Sequence, residues 1–304
     1  MKKIYLSLIL FSISFIGFAQ QNSQYTQYMY NTSIFNPAYV GSEDVLKVTG
    51  LYRSQWVGLE GAPETLTFAI NDAVGKNVGL GLSFIQDKIG PGTETNVNAD
   101  FSYTLRFNNS NLAFGIKAGA NWLNVDFNKL SGSENDPLFT RNIDNRFTPN
   151  VGVGTYYYSD KYYIGLSVPQ LLKTEHFKSN ENAETYLAKE ELHAYLMGGY
   201  VFDINRDLRF KPAFLMKAVN GAPLQVDISA NFLIYDKLTL GGAYRYSAAL
   251  SGLIGFQVSQ NLFLGYAYDA ETSELRNYNS GSHEFFLRFD IFNTTGYSRS
   301  PRFF

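Results

Sequence analysis

Two neighbouring stretches of this chain alternate strictly between apolar and polar residues. From Val97 to Phe107 the odd positions are apolar or aromatic and the even positions are polar. After the turn-forming residues Asn108 to Ser110, the alternation resumes from Leu112 to Trp122. A period of two predicts β-strands, and the short polar link predicts that they form a hairpin. Each arm has roughly ten residues, which is the length that a tilted strand needs to cross a bilayer.

The same pattern recurs along the rest of the chain and predicts about fourteen strands, an even number as in bacterial outer-membrane barrels. Alternation alone also fits a soluble lipocalin-like barrel, but the strand length favours a transmembrane antiparallel β-barrel in the all-β class. The predicted strands are Val45–Arg53, Thr65–Asn71, Asn77–Ile85, Val97–Phe107, Leu112–Trp122, Thr148–Tyr157, Tyr162–Val168, Glu191–Phe202, Leu208–Val219, Leu224–Ile234, Leu238–Tyr246, Ala248–Val258, Leu262–Tyr268 and Ser282–Phe292.

The connections between these strands alternate in length. Those after even strands are tight, whereas many after odd strands are long, which predicts loops over Ser54–Glu64, Gln86–Glu94, Asn124–Phe147, Pro169–Glu190 and Asp269–Gly281. Outer-membrane barrels have short periplasmic turns and longer external loops. The rhythm therefore predicts an outer-membrane location with both termini in the periplasm.

The two ends of the chain lack the strand pattern. Residues 1–19 have a cationic start, an apolar run and the small-x-small site Gly17-Phe18-Ala19, which predicts a cleaved secretory signal peptide. Residues 20–44 are aromatic but do not alternate, and we expect them to pack in the lumen or against the periplasmic rim. We expect residues 45–292 to form the barrel and residues 293–304 to form a periplasmic tail.

The amino-acid composition excludes several classes of function. A net charge of −2 gives no basic excess for nucleic acid, and the absence of cysteine excludes disulfide scaffolds and thiolate zinc sites. The three histidines, His176, His193 and His283, suggest no catalytic base, since Ser282 and His283 are adjacent on a strand and point to opposite faces. We therefore predict a protein that is not an enzyme and has no cofactor and no metal site.

Charged residues occupy many of the predicted lumen positions. We interpret them first as a structural network of ion pairs and second as the lining of a conducting path, so a channel for small solutes is the alternative function. They are Arg53, Asp100, Arg106, Lys117, Arg209, Lys211, Lys217, Asp227, Arg245, Glu284, Arg288 and Asp290.

An ordered set of short motifs resembles the PorP/SprF family of type IX secretion membrane proteins and covers nearly the whole mature chain. Single motifs are weak, but their order is specific. The motifs are Phe35-Asn36-Pro37-Ala38-Tyr39-Val40-Gly41, Tyr52-Arg53-Ser54-Gln55-Trp56-Val57-Gly58 with Gly61-Ala62-Pro63, Asp87-Lys88-Ile89-Gly90-Pro91, Gly165-Leu166-Ser167-Val168-Pro169-Gln170-Leu171-Leu172, Gly221-Ala222-Pro223, Tyr278-Asn279-Ser280-Gly281-Ser282-His283-Glu284 and Ser300-Pro301-Arg302.

The resemblance implies an outer-membrane barrel that serves export or cell-surface anchoring of cargo proteins through their C-terminal sorting domains, in gliding and pathogenic bacteria. Its implied partners are outer-membrane lipid, the periplasmic ring lipoproteins, the translocon and the cargo. No enzymatic residues carry over. The candidate site residues, which form either a shared structural surface or a docking surface, are Asn36, Pro37, Tyr39, Gly41, Arg53, Gln55, Trp56, Gly61, Pro63, Pro301 and Arg302.

The loop that carries Trp56 and Leu59 lies on the predicted external side. An exposed ring beside glycines could anchor a partner. Equally, the loop could fold back and close the mouth of the barrel. The sequence leaves both open.

Overall fold

The strands in this computed structural model pair side by side and form a closed antiparallel ring. The structure describes residues 23–43, 45–129, 142–172 and 192–291. A single helical turn, α1 (Thr32–Phe35), and a 3-10 helix (Pro37–Tyr39) precede the strands, and short 3-10 helices follow at Phe127–Lys129 and Glu274–Asn277. The strands are β1 Leu46–Ser54, β2 Glu64–Val74, β3 Val78–Ile89, β4 Gly92–Arg106, β5 Asn111–Val125, β6 Ile143–Tyr158, β7 Tyr162–Val168, β8 His193–Tyr200, β9 Phe202–Asp203, β10 Leu208–Val219, β11 Gln225–Ile234, β12 Leu238–Arg245, β13 Ala249–Gln257, β14 Leu262–Glu271 and β15 Ser282–Ile291.

The ring closes between its first and last strands, where Leu46 pairs with Ile291 at one end and Ser54 with His283 at the other. β8 and β9 pair with β10 in one continuous register and are interrupted only at Val201, whose N–H donates to the carbonyl of Lys161 at 2.7 Å. They act as one strand, so the described residues form a closed barrel of 14 strands. The predicted fold class is confirmed.

Burial along the strands is inverted relative to a soluble protein. In β4 the polar side chains of Asp100 and Ser102 are buried, whereas Val97, Phe101 and Tyr103 are exposed. The pleat sends successive side chains to opposite faces, so β4 offers one apolar face outward and one polar face inward. An exterior this apolar fits lipid rather than water. Among the described residues, no helix has the length and apolar composition to cross a membrane.

Aromatic rings follow one another around one rim of the outer face. Tyr157 and Tyr162 have ring centroids 5.9 Å apart, and Tyr162 stacks on Tyr200 at 6.4 Å. The row continues through Phe202 to Phe210, with centroids 4.5 and 6.2 Å apart. Amphipathic rings concentrate at the level of lipid headgroups. This row therefore marks one edge of the membrane-spanning band.

The two ends of the barrel differ in their connections. At the tight-turn end the links are residues 75–77, 107–110, 159–161, 204–207, 235–237 and 258–261. At the long-loop end they are 55–63, 90–91, 126–142, 169–192, 220–224, 246–248 and 272–281.

One expected loop is wrong. The stretch Gln86–Glu94 is strand rather than loop, because β3 runs to Ile89, β4 begins at Gly92, and a two-residue turn joins them. The hairpin extends the barrel wall instead of leaving it. The physical reason is that Gly90, with φ +54°, supplies the left-handed residue of a tight turn.

Candidate functional site

Residues 24–41 form a plug inside the barrel. Every residue from Tyr25 to Val40 is buried, although the segment contains no strand. Aromatic rings fill the space, since Tyr25 meets Phe35 edge to face at 5.5 Å and Phe35 lies 5.2 Å from Tyr195 of β8. Of the two placements predicted for this segment, the lumen is the one observed. The rings of the plug therefore pack against one another and against the inner face of the barrel wall.

The candidate residues fall into three groups. Asn36, Pro37, Tyr39 and Gly41 lie in the plug. Arg53, Gln55, Trp56, Gly61 and Pro63 lie at the long-loop end, on β1 and the connection after it. Pro301 and Arg302 lie outside the described residues. The sequence motifs therefore converge on the plug and on one mouth of the barrel.

Asn36 joins the plug to the wall. Its side-chain Oδ1 accepts from the N–H of Ala38 at 2.9 Å, which caps the 3-10 helix that Pro37 starts, and its Nδ2 donates to the carbonyl of Thr155 on β6 at 2.9 Å. Proline suits the first position of such a turn because it has no N–H, and an N–H at this position would have no partner within the turn. One side chain thus fixes both the local turn and its place against the barrel.

Glycines in the wall make room for this turn. A Cβ on Gly79 would lie 2.1 Å from the carbonyl oxygen of Val40, and one on Gly115 would lie 2.2 Å from the N of Ala38. Gly41 itself has φ +72° and packs on the Cα of Gly79. Only a residue without Cβ permits such an approach of two backbones. The lumen glycines Gly79 and Gly115 therefore form a close-packed contact surface for the plug, which we call the seat.

We expect Gly115→Ala to destabilise the folded protein by about 1–3 kcal/mol, because the added methyl overpacks a backbone contact with Ala38 that cannot move alone. The matched control is Gly252→Ala on β13, where a Cβ meets no atom within 4 Å. The urea midpoint of the heat-modifiable folded band measures both. Equal midpoints for the two variants would contradict the tight seat.

A buried ion network holds the other end of the plug. Arg53 on β1 lies 2.7 Å from Asp269 on β14 and 3.1 Å from Glu284 on β15. Glu284 accepts from the backbone N–H groups of Thr26 and Gln27 at 2.8 and 2.7 Å, and the Thr26 hydroxyl donates to Asp269 at 2.7 Å. All three charged side chains are almost completely buried. We call this group the Arg53 latch.

Further ion pairs line the lumen. Arg245 on β12 pairs with Asp227 on β11 at 2.7 Å and also donates to the carbonyl of Tyr25 in the plug at 3.3 Å. Lys117 on β5 pairs with Asp100 on β4 at 2.8 Å. These contacts link neighbouring strands and the plug. They fit the interpretation of the lumen charges as a structural network.

The loop after β1 is braced against the loop before β15. The indole N–H of Trp56 donates to Glu271 at 2.7 Å, and the N–H of Trp56 donates to the hydroxyl of Ser282 at 3.2 Å. The N–H of Val57 donates to the carbonyl of Gly281 at 2.9 Å. On its other side Gly61 accepts from the N–H of Gly90 at 2.9 Å. The indole N–H of Trp56 is thus already hydrogen-bonded within the protein.

The remaining candidates at this mouth are mostly buried. The N–H of Gln55 donates to the carbonyl of Pro63 at 2.9 Å, which closes the base of the loop, and both residues are buried. Arg53, Asn36 and Tyr39 are buried as well. Among the candidates in the described residues, Gly41, Trp56 and Gly61 retain accessible surface.

The histidines and acidic residues of the described ranges were compared with the arrangements that metal binding and catalysis require. Among the described residues, no group of three or more histidine, cysteine, aspartate or glutamate side chains could hold a metal ion. His283 pairs with the hydroxyl of Tyr266 at 2.7 Å, whereas the neighbouring Ser282 hydroxyl accepts from Trp56. His176 lies outside the described residues.

Two parts of the Arg53 latch were missed from the sequence. Asp269 was placed in a loop, although the inward positions of β14 run Phe263, Gly265, Ala267, Asp269 and extend the alternation to it. Thr26 gave no signal at all, because its role depends on a contact 243 residues away in the chain.

Comparison with known proteins gives one family match. The family model described as "Type IX secretion system membrane protein PorP/SprF" matches residues 17–289. No curated protein matches the chain. The match spans the plug, the Arg53 latch and all the described strands up to β15.

Solved outer-membrane barrels are similar only at a coarse level. Omp33 of Acinetobacter baumannii is 9% identical with a TM-score of 0.47, covering 82% of this chain and 100% of that one. A Pseudomonas aeruginosa FadL homologue is 11% identical with a TM-score of 0.46, covering 85% and 93%. At these scores the likenesses carry no argument about function.

Proposed function

Because the chain belongs to the PorP/SprF family of type IX secretion system membrane proteins, we propose that it is a non-conducting outer-membrane scaffold that anchors cargo proteins at the cell surface. The cargo is bound through its C-terminal sorting domain at the long-loop mouth. The tight-turn end faces the periplasm and meets the ring lipoproteins and the translocon. The family and the barrel fold point to a non-enzymatic protein.

The observation that carries this proposal is the plug. Tyr25 to Val40 are all buried, and Tyr30 packs on Phe286 of β15 with ring centroids 5.5 Å apart. A solute channel needs a continuous aqueous path, and interiors packed with rings and paired charges lack one. A barrel closed in this way acts through its two faces instead of its interior.

The long-loop mouth supplies a rigid platform. Val57, on the loop that Trp56 braces, is 36% exposed, and Tyr278, on the loop before β15, is 70% exposed. Exposed aromatic and aliphatic side chains on a well-supported frame are the usual energetic centres of protein interfaces. We assign cargo binding to this platform, while the buried candidates Asn36, Tyr39 and Arg53 support it from within.

The tight-turn end carries a different surface. Lys161 lies 2.7 Å from Asp203, Arg209 lies 3.3 Å from the same carboxylate, and Arg209 also pairs with Asp236 at 2.6 Å. The hydrogen bond to Asp203 and the negative charge of that carboxylate raise the pKa of Lys161 and so favour its charged form. A fixed charge pattern of this kind favours specificity and rapid encounter with a partner. We assign this surface to the periplasmic components.

A pull-down from detergent-solubilised outer membranes tests the proposal. We expect a tagged chain to recover type IX secretion components together with at least one protein that has a C-terminal sorting domain. Recovery of neither would contradict it. A stable open channel formed by the purified wild-type protein in a planar bilayer would favour the small-solute alternative.

Tyr278→Ala is expected to lower cargo recovery at least about tenfold, since an exposed aromatic anchor contributes about 2 kcal/mol or more to an interface. Tyr235→Ala is the matched control, because Tyr235 is 69% exposed but lies in a turn at the opposite end of the barrel. Quantitative immunoblotting of captured cargo measures the effect. Equal loss with both variants, or no loss with Tyr278→Ala, would remove the platform as the cargo site.

A further inference from the structure

The plug runs through the lumen in one direction. At its start, Thr26 and Gln27 bind Glu284, which is the third residue of β15, and the Tyr25 hydroxyl bonds Thr67 near the start of β2 at 3.0 Å. These strand positions all lie at the long-loop end. Gln24 donates to Gln225, the first residue of β11, at the same end and on another part of the ring.

The other end of the plug lies at the opposite mouth. The carbonyl of Val40 accepts from the hydroxyl of Ser102, near the end of β4, at 2.6 Å, and Gly41 packs on Gly79, the second residue of β3. Both positions lie at the tight-turn end, where β1 then begins. The chain therefore enters from the long-loop mouth, crosses the lumen and turns back into the wall.

From this path we infer that the mature amino terminus lies at the long-loop mouth and therefore on the cell surface. The predicted cleavage after Ala19 would leave three residues ahead of Ser23, and three residues span at most about 10 Å. The apolar band of an outer-membrane barrel is about 25 Å tall. The amino terminus cannot reach the periplasmic end from there.

This inference does not fit the expectation that both termini lie in the periplasm. The last described residue, Ile291, pairs with Leu46 at the tight-turn end, whereas Gln24 and Thr26 lie at the long-loop end. The two ends of the described chain are thus on opposite faces. The long-loop rhythm gives the direction of the strands, but it does not show that a segment before β1 doubles back through the interior.

The surface location of the amino terminus rests on the proposed function, which orients the long loops outward. Cysteine labelling tests the orientation of the barrel and the position of the amino terminus separately. The chain has no cysteine, so single substitutions can be made in the full-length protein without removing any native thiol. Gln21→Cys reports the amino terminus, Glu274→Cys reports an exposed site at the long-loop end, and Lys76→Cys reports an exposed tight turn. Intact cells are treated with a membrane-impermeant maleimide, then lysed and treated again.

We expect Gln21→Cys and Glu274→Cys to be labelled on intact cells and Lys76→Cys to be labelled only after lysis. Labelling of Glu274→Cys but not Gln21→Cys on intact cells would overturn the inference while leaving the orientation of the barrel intact. Labelling of Lys76→Cys alone on intact cells would overturn the proposed orientation and, with it, the surface location. Mass spectrometry of the purified chain confirms in each case that processing occurs before Gln20.

Discussion

Arg53→Ala is expected to destabilise the folded barrel by about 3–5 kcal/mol, the cost of leaving buried charges without their partner. Asp269 and Glu284 would remain in the lumen with no guanidinium between them, and Thr26 would lose a hydrogen bond of 2.9 Å. The three strands that carry the Arg53 latch include both sides of the β1–β15 seam. The urea midpoint of the heat-modifiable band measures the effect.

Lys88→Ala is the control for this prediction. Lys88 lies 3.9 Å from Glu64, and both side chains are about half exposed, so removing the pair is expected to cost about 0–1 kcal/mol. Arg53→Lys keeps the charge but cannot bridge two carboxylates with a planar fork, and an intermediate midpoint is expected. A midpoint for Arg53→Ala equal to that of Lys88→Ala would show that the latch does not hold the barrel.

Deleting residues 24–41 is expected to convert a silent barrel into an open channel. The deletion removes the buried rings and leaves a lumen lined by polar and charged side chains such as Lys117, Asp227 and Arg245. The wall itself keeps its ladder of hydrogen bonds, because every strand pairs with two neighbours in the closed ring. Planar-bilayer recording is expected to show step conductances for the deletion and none for the wild type.

The deletion must fold for this result to count, and heat-modifiable migration in electrophoresis reports that directly. Gly115→Ala offers a milder disturbance of the same seat and is expected to give brief openings instead of a steady conductance. A folded deletion variant that stays silent would contradict the plug as the closing element. Equal conductance of the wild type and the deletion would favour the solute channel.

The barrel could be predicted from sequence because its main signal is local. The pleat and the lipid together demand one apolar and one polar face per strand, and the pattern from Val97 to Trp122 shows both. Strand ends were less certain for the same reason. Beyond the apolar band, β3 and β4 lose the alternation but continue to pair up to Ile89 and Gly92, so the pattern predicts a loop where the structure has a hairpin.

The candidate site was predicted only as a set of residues. Asn36 and Arg53 stood out through the family resemblance, yet their partners could not be found by pattern. The seat for the plug consists of glycines such as Gly79 and Gly115, which read equally well as ordinary barrel glycines. The lumen is built from contacts between residues near the two ends of the chain. The alternation of apolar and polar residues along the sequence does not show which distant residues meet.

The grip of Glu284 on Thr26 and Gln27 has a consequence for biogenesis. The two bonds join residues that are separated by 258 and 257 positions in the sequence. They can therefore form only after the last strand, β15, has been synthesised and exported. Contacts of such long range form late in folding. Both ends of the chain are therefore needed to complete the Arg53 latch, and a chain truncated before Ser282 lacks β15 and can complete neither the latch nor the ring.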